Sequence, residues 1–236
     1  MKSITAKGYK VEFTEKQYII LNKFLESQQY SSVFVLADTN TEEHCLPIFL
    51  SNLSTESTIE IISIEAGEEN KNIETCSGVW SVLSELGADR KSILINLGGG
   101  VVTDLGGFVA STFKRGIDFI NIPTSLLAMV DASVGGKTGV DLGALKNQVG
   151  VIVNPKMVLV DPQYLNTLPS EEYRSGYAEM LKHGLIQDQD YWNHLKDYTK
   201  ISSEDIQELI HHSVGIKNKV VLEDPYEHGL RKILNF

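Results

Sequence analysis

From residue 33 onward the chain alternates short apolar runs with segments of helical period. Residues 33–38 (VFVLAD) form an apolar run ending in a carboxylate, and residues 59–64 (IEIISI) a β-branched run that stops before EAGEENK. Residues 72–87 (NIETCSGVWSVLSELG) space their apolar positions as a helix does and close on Gly87. Residues 92–97 (SILINL) read as a strand running straight into three glycines, residues 101–112 (VVTDLGGFVAST) as a helix, and residues 118–123 (DFINIP) as a strand stopped by proline. Apolar strands separated by helices predict βαβ units and a parallel sheet. After Ser170 the pattern changes to helical periodicity with little strand signal. Residues 170–186 open on Ser-Glu-Glu, an N-cap and acidic first turn, and residues 202–222 form a second, longer helix. The change falls near residues 160–168, dividing the chain into an α/β domain, 1–162, and an incomplete helical domain, 163–236. The last eight residues, GLRKILNF, begin an amphipathic segment with no cap or polar tail. That predicts an apolar face with little to pack on, and a chain cut short of its natural end.

Composition narrows the partners. With 236 residues, 42% of them hydrophobic, the chain can bury one large core or two smaller ones. A net charge of −10 argues against nucleic acid as the default partner, although a small anion can bind wherever a few cations converge. Two cysteines, Cys45 and Cys76, fit a reducing compartment better than a disulfide scaffold. The N-terminus has no signal-peptide core, and no apolar run is long enough for a bilayer. A soluble cytoplasmic protein is the expectation.

The stretch AMVDASVGGKTGVD (128–141) ends its core in Gly-Gly-Lys-Thr, which invites a nucleotide-hydrolase reading. That loop needs a glycine where Asp131 stands, and a strand directly before it where TSLLAMVDASV looks helical. A surface turn or a site for an anion or polyol, bracketed by Asp131 and Lys137, remains. The stretch INLGGGVVTD (95–104) places backbone N–H groups and a positive helix end at one point, suited to a pyrophosphate or simply to a tight turn. It is not the standard dinucleotide fingerprint, whose third glycine would fall on Thr103. Asp38 could hold a ribose hydroxyl or cap a helix, and Glu68 and Lys71 could face a cofactor or solvent. Glu179, Lys182 and His183 share a helix face, where they could pair locally or offer Glu179, and by spacing His183, to a metal. One Glu and one His do not make a zinc site. Lys217, Glu227, Arg231 and Asn235 could be ordinary surface charge, or Arg231 could fork a carboxylate.

Taken in order, GEENK, LGGGVVTDLGGFVASTFKRG, IPTSLLAMVDASVGGKTGVD, KNQVG, LVDP, LNTLP, SGYAEMLKHG and VVLEDPYEHGLRKILNF resemble the 3-dehydroquinate synthase family over nearly the whole chain from Asp38. The resemblance implies a Rossmann-like NAD-binding domain followed by an all-helical domain with a zinc or cobalt ion. It implies conversion of 3-deoxy-D-arabino-heptulosonate 7-phosphate to 3-dehydroquinate and phosphate in the shikimate pathway of aromatic amino acid biosynthesis. There a ring hydroxyl is transiently oxidised, phosphate is eliminated, the ketone is reduced again, and an aldol step closes the carbocycle. By position, Asp38, Glu68, Lys71, Gly99, Gly100, Asp104, Thr124, Ser125, Lys146 and Thr167 match NAD contacts. Asp131, Lys137, Asn147, Lys182, Lys217, Arg231 and Asn235 match substrate contacts, with Lys182, Lys217 and Arg231 also in the catalytic set. Arg115 matches an arginine presented across a homodimer interface. Glu179 matches the carboxylate metal ligand and Glu227 a proton acceptor. The family's metal-binding histidines would follow residue 236, so residues 1–236 alone are expected to lack synthase activity and strong metal binding while retaining weak NAD binding. A sibling sugar-phosphate cyclase and a non-catalytic NAD-binding module are the alternatives. No nucleic-acid or membrane partner is expected.

Overall fold

The computed structural model describes residues 1–14, 17–197 and 205–235. Seven strands form one sheet: β1 (Ile4–Thr5), β2 (Lys10–Phe13), β3 (Ser32–Asp38), β4 (Thr58–Ile64), β5 (Ile93–Gly98), β6 (Asp118–Pro123) and β9 (Met157–Val160), in the order β1-β2-β9-β6-β5-β3-β4. Every pairing is parallel except β1 with β2. The remaining strands, β7 (Lys137–Leu142) and β8 (Leu145–Ile152), form a separate antiparallel ribbon. The helices are α1 (Ile19–Gln28), α2 (Thr39–His44), α3 (Leu46–Asn52), α4 (Ile73–Glu85), α5 (Gly100–Thr112), α6 (Ser170–Gln187), α7 (Gln189–Leu195) and α8 (Ile206–Glu223).

β3 and β5 are apolar and continuous because helices cover both faces of the sheet, as parallel sheets require, while the edge strand β4 is half-exposed. Alternation along each strand divides the core. Val33, Val35, Ile95 and Ile120 join a cluster on one face that continues through Leu21 and Phe49 to Met180, Ile210 and Val214 of the later helices. Phe34, Leu36, Leu94 and Phe119 point the other way, against Cys76 and Leu83 of α4 and Leu105 and Val109 of α5. Gly106 lets α5 lie close on the sheet, since a Cβ there would fall 2.0 Å from Asn96 Oδ1.

The strand order reverses between β3 and β5. β4 lies outside β3, while β6 lies outside β5, so the carboxyl ends of β3 and β5 open a crevice between them. The predicted helix over 124–134 is a helical turn whose centre, Ala128–Ala132, is a π-helix, closed by Ser133 N–H donating to Ala128 O at 3.1 Å. Insertions of this kind cluster at functional sites. α6 packs directly on this turn because Gly176 has no side chain: a Cβ there would lie 2.4 Å from Leu127 N.

The sequence reading named none of β1, β2, α1, α2, α3, β7, β8, β9 and α7. The expectation that GLRKILNF lacks a packing partner is also corrected. Its single-turn segment Leu230–Asn235 buries Arg231 to 2% and Leu234 to 9% exposure.

Candidate functional site

The crevice between β3 and β5 is floored by main chain. β5 ends at Gly98, Gly99 caps α5 in extended backbone, and Thr124 N–H donates to Gly98 O at 3.0 Å, tying the β6 exit to the same turn. A Cβ on Gly99 would sit 3.4 Å from Ser125 Oγ, and one on Gly100 3.5 Å from Ala132 Cβ, so any side chain would fill this space. The open crevice, unsubstituted backbone and positive helix end fit a dinucleotide pyrophosphate. Asp104, one helical turn along α5, takes a 2.7 Å ion pair from Lys71, whose Nζ also donates to Asn147 Oδ1 at 2.8 Å. Burial pushes the Asp104 carboxyl up to about 6, against the pull of Lys71.

Next to this crevice lies a cavity of about 660 Å³, lined among others by Asp104, Asp131, Lys137, Asn147, Lys217 and Asn235. Those residues come from six parts of the chain, with Asp104 on α5 and Asn235 in the last segment. Asp131 is carried by the π-helical turn, Lys137 by β7, Asn147 by β8, and Lys217 by α8. Lys217 is buried and donates to Asp131 Oδ1 and, at 2.6 Å, to Asp131 O. Burial would raise the Asp131 carboxyl, but the Lys217 ammonium outweighs it and holds the group below the usual carboxylate range. Burial in turn pulls Lys217 below the usual lysine range. Lys137 ion-pairs with Glu227, which also accepts from Asn235 Nδ2. Burial raises Glu227, and the contacts with Lys137 and Asn235 outweigh it, leaving it below the ordinary glutamate range.

The segment after α8 owes its shape to Asp224. Its carboxylate accepts three backbone N–H groups, from His228 (3.0 Å), Gly229 (2.7 Å) and Arg231 (3.1 Å). The resulting turn holds Glu227 in left-handed backbone (φ 59°) and points it back at Lys137. Strained non-glycine backbone of this kind is kept where surrounding contacts enforce it.

Asp131, Glu179 and His183 place one donor atom each within 4.8 Å of one another. Glu179 Oε1 and His183 Nε2 are buried without a hydrogen-bond partner. Nδ1 of the fully buried His183 meets Ser213 Oγ at 2.6 Å, which turns Nε2 toward Glu179. Lys182 Nζ stands 2.5 Å from Glu179 Oε1, off hydrogen-bonding geometry, and donates to Leu234 O at 2.7 Å. An unpartnered buried imidazole nitrogen beside the carboxylates of Glu179 and Asp131 suits a divalent cation. Counting Glu179 alone as a ligand therefore understates the donors this chain assembles. The signal for His183 was its i+4 spacing from Glu179; Asp131 lies far off in sequence and gave none.

Other expected site residues sit apart. Asp38 is a helix cap in the structure: Oδ1 accepts Thr41 N–H at 2.8 Å and Thr41 Oγ1–H at 3.0 Å, closing a capping box on α2. Glu68 and Lys146 pair at 3.1 Å on the surface, and Thr167 Oγ1 donates to Tyr164 O at 2.8 Å. Arg115 is exposed in a small surface hollow with Asp89, Arg90 and Lys114. It lies past the far end of the 13-residue α5, about 20 Å along the helix from Gly100, and cannot join the cavity of its own chain. Among the described residues no helix is long and apolar enough to cross a membrane.

Comparison with solved structures places the fold. 2-Deoxy-scyllo-inosose synthase, complexed with carbaglucose-6-phosphate, NAD+ and Co2+, superposes with a TM-score of 0.87 at 22% identity, over 100% of this chain and 68% of that one. 2-epi-5-epi-valiolone synthase from Streptomyces hygroscopicus, with NAD+ and Zn2+ bound, gives 0.82 at 24% identity, over 100% and 67%. The chain shares the fold of these two synthases. Residues 61–175 match the family model for the N-terminal part of 3-dehydroquinate synthase and residues 176–236 the model for its C-terminal part. The chain belongs to the 3-dehydroquinate synthase family. The synthase of Parabacteroides distasonis is 45% identical over 218 residues, 92% of this chain and 62% of the relative. That of Campylobacter hominis is 40% identical over 227 residues, 96% of this chain and 66% of the relative. The chain thus spans less than two thirds of the length of these curated relatives.

Proposed function

We propose that this chain carries the nucleotide crevice and most of the substrate pocket of a 3-dehydroquinate synthase. The reaction turns 3-deoxy-D-arabino-heptulosonate 7-phosphate into 3-dehydroquinate and phosphate. Residues 1–162 hold NAD, and residues 163–236 supply metal and proton-transfer groups. The observation that carries this reading is the cavity itself: Lys137, Lys217, Asn147 and Asn235 converge beside the glycine turn in a protein of net charge −10. Two lysines in one cleft, each paired with a carboxylate it can exchange, suit a small dianion.

Gly99, Gly100, Asp104, Thr124 and Ser125 surround the crevice assigned to NAD. Glu179, with His183 and Asp131, offers the donors for a divalent metal. When bound, NAD supplies a hydride acceptor that is restored each turnover, and the metal polarises the hydroxyl being oxidised. The chain's own part is an exchange of partners. Lys137 takes the departing phosphate and lets go of Glu227. Without the ammonium, the Glu227 carboxylate becomes more basic and accepts a proton from the substrate at Oε2, the oxygen Lys137 had covered. Lys182 and Lys217 neutralise developing negative charge, and Arg231 holds the substrate carboxylate. Arg115 reaches this pocket from a second copy of the chain in a homodimer, which its position at the far end of α5 supports.

The test is a product assay on the complete gene product with NAD and zinc or cobalt. Phosphate and 3-dehydroquinate should form from the heptulosonate phosphate and not from sedoheptulose 7-phosphate. Turnover of the second sugar alone would assign the chain to a sibling cyclase. NAD bound without turnover of either would leave a nucleotide-binding module.

A further inference from the structure

The β1–β2 hairpin does more than edge the sheet. Asn218 Nδ2 of α8 donates to Thr5 O at 3.0 Å, and Asn154 Nδ2 donates to Lys7 O at 2.7 Å. The His211 ring packs on Phe13 with centroids 4.8 Å apart, and Lys7 Nζ stands 5.1 Å from the centroid of the Tyr226 ring. One short segment thereby touches α8, the chain just past the ribbon, and the turn that carries Glu227.

Between β1 and β2, Tyr9 faces inward at 6% exposure, and its hydroxyl accepts the Gly135 N–H at 3.0 Å. The carbonyl of the same glycine accepts Arg231 Nη2 at 2.9 Å, while Pro225 O accepts Nη1 at 2.7 Å. Gly135 and Gly136 both lie in positive-φ backbone (104° and 70°), and a Cβ on Gly135 would come within 2.5 Å of Arg231 Nη2. Only glycine permits that approach, and glycine does nothing to fix its own orientation. Among the described residues Arg231 makes no ion pair. Two of its five N–H groups are held by carbonyls, and the carboxylates that act on its charge, Glu227, Asp131 and Asp224, form no direct pair with it, which leaves donors for an anion.

We propose that Tyr9 is a positioning residue for Arg231. By holding the Gly135 N–H, the phenol sets the direction of the Gly135 carbonyl, and that carbonyl sets the guanidinium. What Arg231 binds rests on the function proposed above; where it is held does not.

Tyr9→Phe keeps the ring and removes the acceptor. Labelling of Arg231 by phenylglyoxal, followed by peptide mass spectrometry, reads the guanidinium directly. Loss of one such hydrogen bond should speed labelling about three- to tenfold. It should weaken binding of the heptulosonate phosphate by a similar factor and leave NAD affinity unchanged. Equal labelling of Tyr9→Phe and wild type overturns the proposal, as does faster labelling with unaltered sugar-phosphate affinity. A wild-type protein that does not bind the sugar phosphate defeats the functional reading instead, and the labelling rates then decide the role of Tyr9.

Discussion

Asp104 and Asp131 line the same cavity, and each faces a buried lysine, yet their carboxyl groups move in opposite directions. Lys71 meets Asp104 at 2.7 Å, and burial still lifts that group to about 6. Lys217 meets Asp131, and there the charge wins, with His183 and Lys182 adding to the pull. The difference lies in the company each carboxylate keeps. Asp131 sits where α6 and α8 bring several cationic groups to one helical turn. Asp104 is more strongly governed by burial: Lys71 and, less strongly, Lys217 pull it down, and Asp131 acts on it as a like charge. One carboxylate is thereby fixed as an anion while its neighbour titrates close to neutrality, the separation that assigns different tasks to paired acids.

The sharpest way to break this contrast is to remove the fixed anion. Asp131→Ala leaves the Lys217 ammonium buried beside a carbonyl with no counter-charge. Stability in urea should fall by about 3 kcal/mol, the lower part of the range for a broken buried pair, because Asp131 keeps about a third of its side chain exposed. Adding Lys217→Met should return most of that loss. If the double variant is no better than the single, the pair is not the source of the cost. On the catalytic side, Lys137→Ala in the complete enzyme should lower kcat about a hundredfold, the usual loss on removing one group that stabilises developing charge. Its NAD affinity should stay near wild type, because Lys137 touches Glu227 and not the crevice. A matching loss of NAD binding would move Lys137 to the nucleotide.

Asp104 supplies the test of the other half of the contrast. Its folded carboxyl titrates near 6, whereas an unfolded aspartate titrates near 3.8. Between those values the folded state binds the extra proton, so this group stabilises the fold at low pH, and the contribution is lost as pH rises from about 4 to 6. The difference in unfolding free energy between wild type and Asp104→Asn should fall across that window by on the order of 1–2 kcal/mol. A flat difference would place Asp104 with the ordinary carboxylates.

The same two regions explain what could be read from the sequence. The crevice side is local: SILINL, three glycines and the α5 sequence adjoin, so strand, turn and helix start were all visible in one stretch. β3 and β5 were equally plain, since burial on both faces makes such strands continuously apolar, and β4 was marked by its β-branched residues. The charged side is not local. His183 meets Asp131 only because Gly176 lets α6 settle on the π-helical turn, and that packing leaves no periodic trace. The β7–β8 ribbon was missed for the opposite reason. β8 is almost wholly exposed or half-buried and carries Lys146, Asn147 and Gln148, so it lacks the apolar alternation by which strands are recognised. Asp38 shows how one residue can carry two readings: a carboxylate at a strand end can cap the next helix or face a ligand, and its Oδ1 engages Thr41.

The main-chain side can be probed with the smallest change. Gly99 has φ −74° and ψ −164°, backbone open to any residue, and the nearest atom to an added Cβ is Ser125 Oγ at 3.4 Å. Gly99→Ala should therefore leave stability within about 0.5 kcal/mol of wild type. The methyl group would nevertheless stand where a phosphate must approach the α5 N-terminus, so a charge-assisted hydrogen bond is lost and NAD affinity in a calorimetric titration should fall tenfold or somewhat more, about 1.5–3 kcal/mol. The fixed-anion site would not notice, and Arg231 labelling should be unchanged. If NAD binds Gly99→Ala as tightly as wild type, the glycine turn is a packing device only. The nucleotide would then have to be held by Asp104 and Lys71, and the division between a main-chain half and a side-chain half of the site would fail.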